Sequence, residues 1–282
     1  MAPDTIGIMA GSGQFPILVA RSAKAMGLRV VICGFYENTD EQLAAEADAF
    51  TMLHLGQLGS IIKFFKKNGA NKVCMAGAIH KPRGVLQIKP DWRTLKLFAQ
   101  LVKNRGDDAI LRAVACEMQS EGITIVRPDT LVPNLGSPIG VLSDTQPTQE
   151  IWQDIRFGWN IARQVGALDI GQLVVVRHSA VMAVEAIEGT DAALARGGQL
   201  GGPGSTAVKV VKPGQDKRLD LPSIGLRTIS LLAEYEFACM AFDATGALFF
   251  DRDAALDLAR KHKIAVVAIP EDAEGFFAQY GV

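Results

Sequence analysis

The chain has 282 residues, enough for two domains that each bury a core. Apolar residues make up 49% and charged residues 21%, and a formal net charge of −1 excludes wholesale electrostatic binding to nucleic acid. Cys33, Cys74, Cys116 and Cys239 form no CxxC and do not pair at ligand spacing with His54, His80, His178 or His262, which argues against zinc and for reduced, mostly buried thiols.

The first 130 residues or so alternate between strand and helix periods. TIGIMA predicts a strand over Thr5–Ala10, and FPILVARSAKAMG a helix that stops at Gly27. RVVICGF, AFTMLHL and KVCMAGA predict three more strands, separated by the helical patterns DEQLAAEA and LGSIIKFFKKNG, the latter capped by Ser60 and closed by Gly69. This order implies a parallel sheet with crossover helices. Two helices follow, RTLKLFAQLVKN and DDAILRAVACEMQSEG, and then a strand at ITIVRP.

The register changes near residue 130, where PDTLVPNLGSPIGVLSDTQPT holds four prolines and reads as a linker. A long helix is predicted over Gln149–Val165, then two strands meeting at a turn near His178-Ser179, and a third strand at TAVKVVKP. Helical patterns return at IGLRTISLLAEY and RDAALDLARKHK, with an apolar IAVVAIP near the end. The expected class is α/β: a Rossmann-like parallel-sheet domain over residues 1–132 and a mixed α+β domain over residues 133–282. Runs such as AVVAI and QLVVV fall far short of the ~20 residues of a spanning helix. The N-terminus shows no secretory pattern, so a soluble cytoplasmic protein is expected, with surface contact to a membrane left open.

Two places carry chemistry. In GIMAGSGQFP, Gly11, Ser12 and Gly13 stand between the first strand and the first helix, where open α/β sheets bind ligands and helix N–H groups favour phosphate. Pro16 occupies the place of the third glycine of a dinucleotide motif, and a tight turn without ligand is the structural alternative. His80 and Lys81 follow the fourth strand and line the same crevice in this reading, or are plain surface residues. In the second half, Glu185, Glu188, Thr190 and Asp191 lie close to Lys209, Lys212, Asp216, Arg218 and Asp220 in sequence, with a glycine-rich stretch over residues 197–204 read as a mobile loop. Hard oxygen ligands suit Mg²⁺ or Mn²⁺ and lysines suit phosphate, an arrangement fit for phosphoryl transfer. The structural alternatives are a turn at Asp220 before Pro222 and a helix cap at Thr190-Asp191.

The segments IGIMAGSGQFP, RGDDAILRAV, VEAIEGTDAALARG and VKVVKPGQDKRLDLPSIG resemble the LpxI family of UDP-2,3-diacylglucosamine pyrophosphatases of lipid A biosynthesis, in the same order over nearly the whole chain. The resemblance implies a metal-dependent (Mg²⁺ or Mn²⁺) hydrolase that splits a UDP-linked diacylated glucosamine lipid into UMP and 2,3-diacylglucosamine 1-phosphate. It implies work in the cytoplasm at the periphery of the inner membrane, a homodimer, and an active site between the two domains. Carried over by motif, Asp220 in DLPSIG is the key aspartate, catalytic and metal-binding, and Glu185 is a second metal ligand. Asp191 and Lys209 join the catalytic set, with Thr190 and Lys212 beside Gly11, Ser12, Gly13, His80 and Lys81 as substrate contacts. Ser223 stands where threonine is expected, and Asp107 and Asp108 match a family motif without an assigned role. Two other functions compete: a nucleotide-binding regulator, which leaves the C-terminal acids and lysines without a role, and an NAD-linked oxidoreductase, which Pro16 weakens.

Overall fold

The computed structural model describes residues 3–79, 89–100 and 107–282. They fall into two compact units, Met1–Pro133 with Asp216–Asp220, and Asn134–Gln215 with Leu221–Val282. The protein is of mixed α/β class.

The first unit contains β1 (Thr5–Ala10), α1 (Phe15–Ala25), β2 (Arg29–Phe35), β3 (Ala49–Leu53), α2 (Leu58–Lys67) and β4 (Lys72–Ala76). It continues with α3 (Trp92–Gln100), α4 (Asp107–Ser120) and β5 (Thr124–Ile125). The five strands are all parallel in the order β3-β2-β1-β4-β5. Val30, Val31, Ile32 and Cys33 of β2 are fully buried, the continuous apolar run expected of a parallel sheet covered on both faces. Burial pushes the Cys33 and Cys74 thiols up to about 12, so both are inert core residues; Cys239 is buried too, and Cys116 is exposed. Strand order reverses at β1, which lies between β2 and β4, so the turns after β1 and β4 leave the sheet at its switch point.

Two local expectations give way to other interactions. The segment DEQLAAEA forms a short 3-10 helix over Glu41–Glu46, capped by the Asp40 carboxylate accepting from Gln42 N at 2.9 Å. Ser60 does not cap α2. The helix starts at Leu58 without a side-chain cap from its own N-cap residue, Gln57. The cap comes from Asp91, whose Oδ2 accepts from Gly59 N at 2.6 Å while Oδ1 accepts from Thr94 N of α3 at 2.9 Å. One carboxylate therefore satisfies backbone donors at two helix N-termini, where the helix dipoles also favour negative charge. Burial pushes the Asp91 carboxyl up, but bonds from Thr94, Gly59 and Ser60 outweigh it and hold it below the ordinary aspartate range.

The second unit holds β6 (Gly140–Val141), α5 (Gln149–Ala167), β7 (Leu173–Arg177), β8 (Ala180–Val184), α6 (Thr190–Gly201), β9 (Thr206–Lys209) and β10 (Ser223–Ile224). It ends with α7 (Leu226–Glu234), β11 (Cys239–Asp243), β12 (Leu248–Phe249), α8 (Arg252–Lys261), β13 (Ala265–Ile269) and α9 (Ala273–Ala278). Its main sheet is mixed, in the order β6-β13-β11-β9-β7-β8, and β10 and β12 form a separate pair. Strand alternation sorts the core onto two faces. Leu173, Val175, Ala207, Met240, Phe242, Val266 and Ala268 share one cluster with residues of α6, α7 and α8. Val174, Val176, Val208, Cys239, Ala241, Ala265 and Val267 share the other with Trp152, Trp159, Phe276 and Phe277 of α5 and α9. β11, an interior strand of this sheet, has no counterpart among the predicted elements.

The hairpin turn at His178-Ser179 is found where predicted. Both residues are left-handed, φ 51° and 56°, as a type I′ turn needs. Asp154 of α5, itself buried, accepts from their two N–H groups at 3.1 and 2.6 Å.

The glycine-rich stretch is not a mobile loop over most of its length, because Gly197, Gly198 and Gly201 lie inside α6. A Cβ at Gly197 would stand 2.5 Å from Val175 Cγ2, and one at Gly198 would stand 2.5 Å from Tyr235 Cβ. The glycines let α6 lie directly on β7 and α7.

Gly197→Ala is expected to destabilise the protein by about 1–3 kcal/mol through overpacking, read as a lower urea midpoint with an unchanged slope. Asp91→Ala is expected to cost on the order of 2 kcal/mol at neutral pH, since it removes two caps. Because the folded carboxyl is held low, its contribution is complete above its unfolded pKa and is lost as pH falls through the folded value. The gap between Asp91→Ala and wild type therefore narrows below about pH 4, and a gap that stays constant with pH would contradict the double cap.

Candidate active site

The turn after β1 is built by close approach to the chain leaving β4. Gly11 N donates to Ala76 O at 2.8 Å, Ser12 N to Ala78 O at 2.8 Å, Ser12 Oγ to the same oxygen at 3.0 Å, and Ala78 N returns to Ser12 O at 3.2 Å. A Cβ on Gly11 would stand 2.4 Å from Ala78 O, so glycine is needed there for proximity. Gly13 needs glycine for conformation instead, at φ +88° with open space where a Cβ would go. Two of the N–H groups expected to face a ligand thus hold the crevice together. The start of α1, with Pro16 in its first turn, follows directly. His80 and Lys81 lie outside the described residues.

In the second unit a polar network sits where β8 and β9 end. Lys209, the last residue of β9, is only 5% exposed, and Glu185, just after β8, is 7% exposed. The Thr190 hydroxyl joins them: it donates to Glu185 Oε1 at 2.8 Å and accepts from Lys209 Nζ at 3.1 Å. Lys209 Nζ also donates to Ser223 O at 2.9 Å. Gln172 N donates to the other Glu185 oxygen at 3.2 Å. A buried ammonium and a buried carboxylate are thereby compensated through one hydroxyl that acts as donor and acceptor at once.

The remaining acids of the cluster go elsewhere. Glu188 pairs with Arg196 and accepts from Ala186 N. Asp191 lies 2.6 Å from Arg227 in an exposed ion pair. Lys212 Nζ donates to Asp169 at 2.8 Å. Asp216 pairs with Arg218, chiefly through a side-chain hydrogen bond that holds the Asp216 carboxyl below its ordinary range. Asp220 is exposed and belongs to the segment Asp216–Asp220 of the first unit, whereas Glu185, Thr190, Asp191, Lys209 and Lys212 belong to the second. Among the described residues, no three His, Cys, Asp or Glu side chains converge into a metal cage. Gln172 joins the network without having been singled out in the sequence, and Ser223, noted there only for standing where threonine is expected, joins it too. Gln172 is a single amide before an apolar run, and Ser223 contributes its main-chain oxygen, which no residue type advertises.

Residues 5–135 match the LpxI N-terminal domain and residues 138–267 match the LpxI C-terminal domain. A relative from Caulobacter vibrioides (strain ATCC 19089 / CIP 103742 / CB 15), UDP-2,3-diacylglucosamine pyrophosphatase LpxI, is 34% identical over 263 residues, 89% of this chain and 92% of the relative. The chain belongs to the LpxI family. Solved structures resemble it only loosely. The biotin carboxylase subunit of pyruvate carboxylase is 14% identical, covering 65% of this chain and 35% of that one, with a TM-score of 0.24. N5-carboxyaminoimidazole synthetase from Staphylococcus aureus is 17% identical, covering 61% and 37%, with a TM-score of 0.25. The chain spans little more than a third of either protein, and overlaps at that level carry no argument about ligand or reaction.

Thr190→Val keeps the shape of the side chain but removes the hydroxyl between Glu185 and Lys209. The expected cost is about 1–3 kcal/mol, larger than for Thr190→Ser, which keeps the bridge. Equal losses for Val and Ser in chemical denaturation would show that the hydroxyl does not carry the network.

Proposed function

We propose that this protein hydrolyses the diphosphate of UDP-2,3-diacylglucosamine to UMP and 2,3-diacylglucosamine 1-phosphate, the activity named for its Caulobacter vibrioides relative. The observation that carries this reading is 34% identity over 92% of that relative. In the reaction water adds to one phosphorus, the bridging P–O bond breaks, and the bridging oxygen leaves with the other phosphate. Most of the catalytic benefit in such a step comes from fixed charge and position.

Within this reading the nucleotide is assigned to the turn of Gly11, Ser12 and Gly13, with His80 and Lys81. Lys209, held by Thr190 and Ser223, supplies a fixed positive charge for the phosphates, and Lys212 supplies a second. Asp191 is kept in the catalytic set, and Asp220 orients the attacking water. The donor set suits a cation that arrives with the diphosphate, because magnesium is commonly held by one or two carboxylates together with substrate phosphates and water. Asp220 is the carboxylate assigned to hold it; Glu185 is a weaker candidate, since both its oxygens already accept hydrogen bonds. Mg²⁺ or Mn²⁺ bound there would neutralise phosphate charge and polarise the bond that breaks. No helix among the described residues is long and apolar enough to cross a membrane. A cytoplasmic homodimer in peripheral contact with the inner membrane completes the proposal.

The test is UMP release from detergent-dispersed UDP-2,3-diacylglucosamine, with Mg²⁺ or with excess chelator. UMP and lipid phosphate are expected in equal amounts with Mg²⁺, and no turnover in chelator. Asp220→Ala is expected to lower kcat by about 10²-fold or more with an unchanged melting temperature. Folded wild-type protein that releases no UMP would overturn the reaction, full turnover in chelator would overturn the cation, and an early-melting Asp220→Ala with normal kcat would make Asp220 a turn residue.

A further inference from the structure

The segment Asp216–Asp220 is charged except for one side chain, and it belongs to the first unit although Gln215 and Leu221 on either side of it belong to the second. Its main chain closes on itself. Asp216 O accepts from Leu219 N at 2.8 Å and from Asp220 N at 3.3 Å. The Asp216 carboxylate accepts from Arg218 N at 3.1 Å and takes the Arg218 guanidinium in a fork, Nε to Oδ1 at 2.9 Å and Nη2 to Oδ2 at 2.6 Å. Two consecutive residues of this turn then meet opposite surroundings: Leu219 is 8% exposed, and Asp220 is exposed.

Two attachments hold the turn at α4. The apolar one is Leu219, which shares a core cluster with Ala115 and Met118 of α4 and with Val31 and Phe65. The polar one is Asp216. Its carboxyl is held below the ordinary range chiefly by the hydrogen bond from Arg218, and Arg112 of α4 adds a second positive charge near it. A turn made of Asp, Lys, Arg and Asp needs no leucine to stay in water. What one buried side chain contributes here is a fixed place. Consecutive Cα atoms lie ~3.8 Å apart, so whatever fixes Leu219 fixes the main chain of Asp220, whose N–H is already bonded to Asp216 O. A carboxylate that orients water depends on such placement, because a misplacement of about 1 Å can cost on the order of 10²-fold in rate.

We infer that Leu219 is a positioning residue for Asp220. It plugs the Asp216–Asp220 turn into the core beside α4, the Asp216 carboxylate acts as the clasp, and the Asp220 carboxylate is thereby presented at a fixed place on the first unit. The use made of Asp220 rests on the proposed hydrolysis. The docking of the turn does not, and one arm of the experiment contains no substrate.

The experiment compares Leu219→Ala and Leu219→Met with Ile62→Ala, a substitution elsewhere in the same core. Assayed well below its melting temperature, Leu219→Ala is expected to lower kcat for UMP release by about ten-fold or more, with KM little changed. Leu219→Met refills the volume and should restore most of the loss. Ile62→Ala weakens the same core and should leave the kcat of the folded protein unchanged. In an Asp220→Ala background, Leu219→Ala should cost nothing further, because both act through one carboxylate. Without substrate, limited digestion with trypsin reads the plug directly, since cleavage after Lys217 or Arg218 requires the turn to open. It should be slow in wild type and in Ile62→Ala, and about ten-fold faster or more in Leu219→Ala. Leu219→Ala with wild-type kcat, an equal fall in Ile62→Ala, or an undiminished Leu219 effect in the Asp220→Ala background would each overturn the positioning role. Equal cleavage of Leu219→Ala and wild type would overturn the plug. Wild type that releases no UMP would overturn the hydrolysis instead, and the protease comparison would still decide the plug.

Discussion

The second unit is organised around one awkward fact: a lysine ends an interior strand of its sheet. Lys209 follows Thr206, Ala207 and Val208, all fully buried. An ammonium at that depth is tolerated only with partners in place. Those partners come from three directions: Thr190 at the start of α6, Ser223 in β10, and, through Thr190, Glu185 beyond β8. Satisfying one charge therefore fixes where a helix begins and where two strands end. In the proposed hydrolysis, a charge held in this way need not reorganise when a phosphate approaches, the property an electrostatic catalyst needs.

Close approach is the second theme, and it serves both units. Gly11 lets the β1 turn touch the chain leaving β4, and Gly197 and Gly198 let α6 lie on β7 and α7. In the first case the result is a turn at the sheet's switch point. In the second it is a helix whose first residue, Thr190, reaches Lys209. Glycine here acts as an absence of volume rather than as a source of freedom.

Much of this is written in the sequence, and what is not has identifiable causes. Near-continuous apolar runs such as those of β1, β2 and β4 mark a parallel sheet because burial on both faces leaves no polar alternation to confuse the reading. The His178-Ser179 turn is legible from the two β-rich runs it joins. The glycines of α6 mislead because composition says loop while the deciding contact, Val175, lies in another strand. Ser60 misleads for a related reason: a cap can be supplied from anywhere in the fold, and Asp91 supplies two. The candidate site divides similarly. Residue types nominated Glu185, Thr190 and Lys209, but only geometry separates them from Glu188 and Asp191, which pair with Arg196 and Arg227. The contribution of Ser223 is a main-chain oxygen and leaves no trace in composition.

The segment Asp216–Asp220 has a consequence for how the protein is made. It belongs to the first unit although more than half of the second unit's chain precedes or surrounds it, and Leu219 is a buried member of the first unit's core beside Val31, Phe65 and Met118. During synthesis the N-terminal sheet is complete when β5 has emerged, yet Leu219, a member of its described core, is still to come. That side chain arrives only after α5, β7, β8, α6 and β9 have been made. Two units of nearly independent architecture are thus tied in synthesis order: the first receives Leu219 only after more than half of the second has been made.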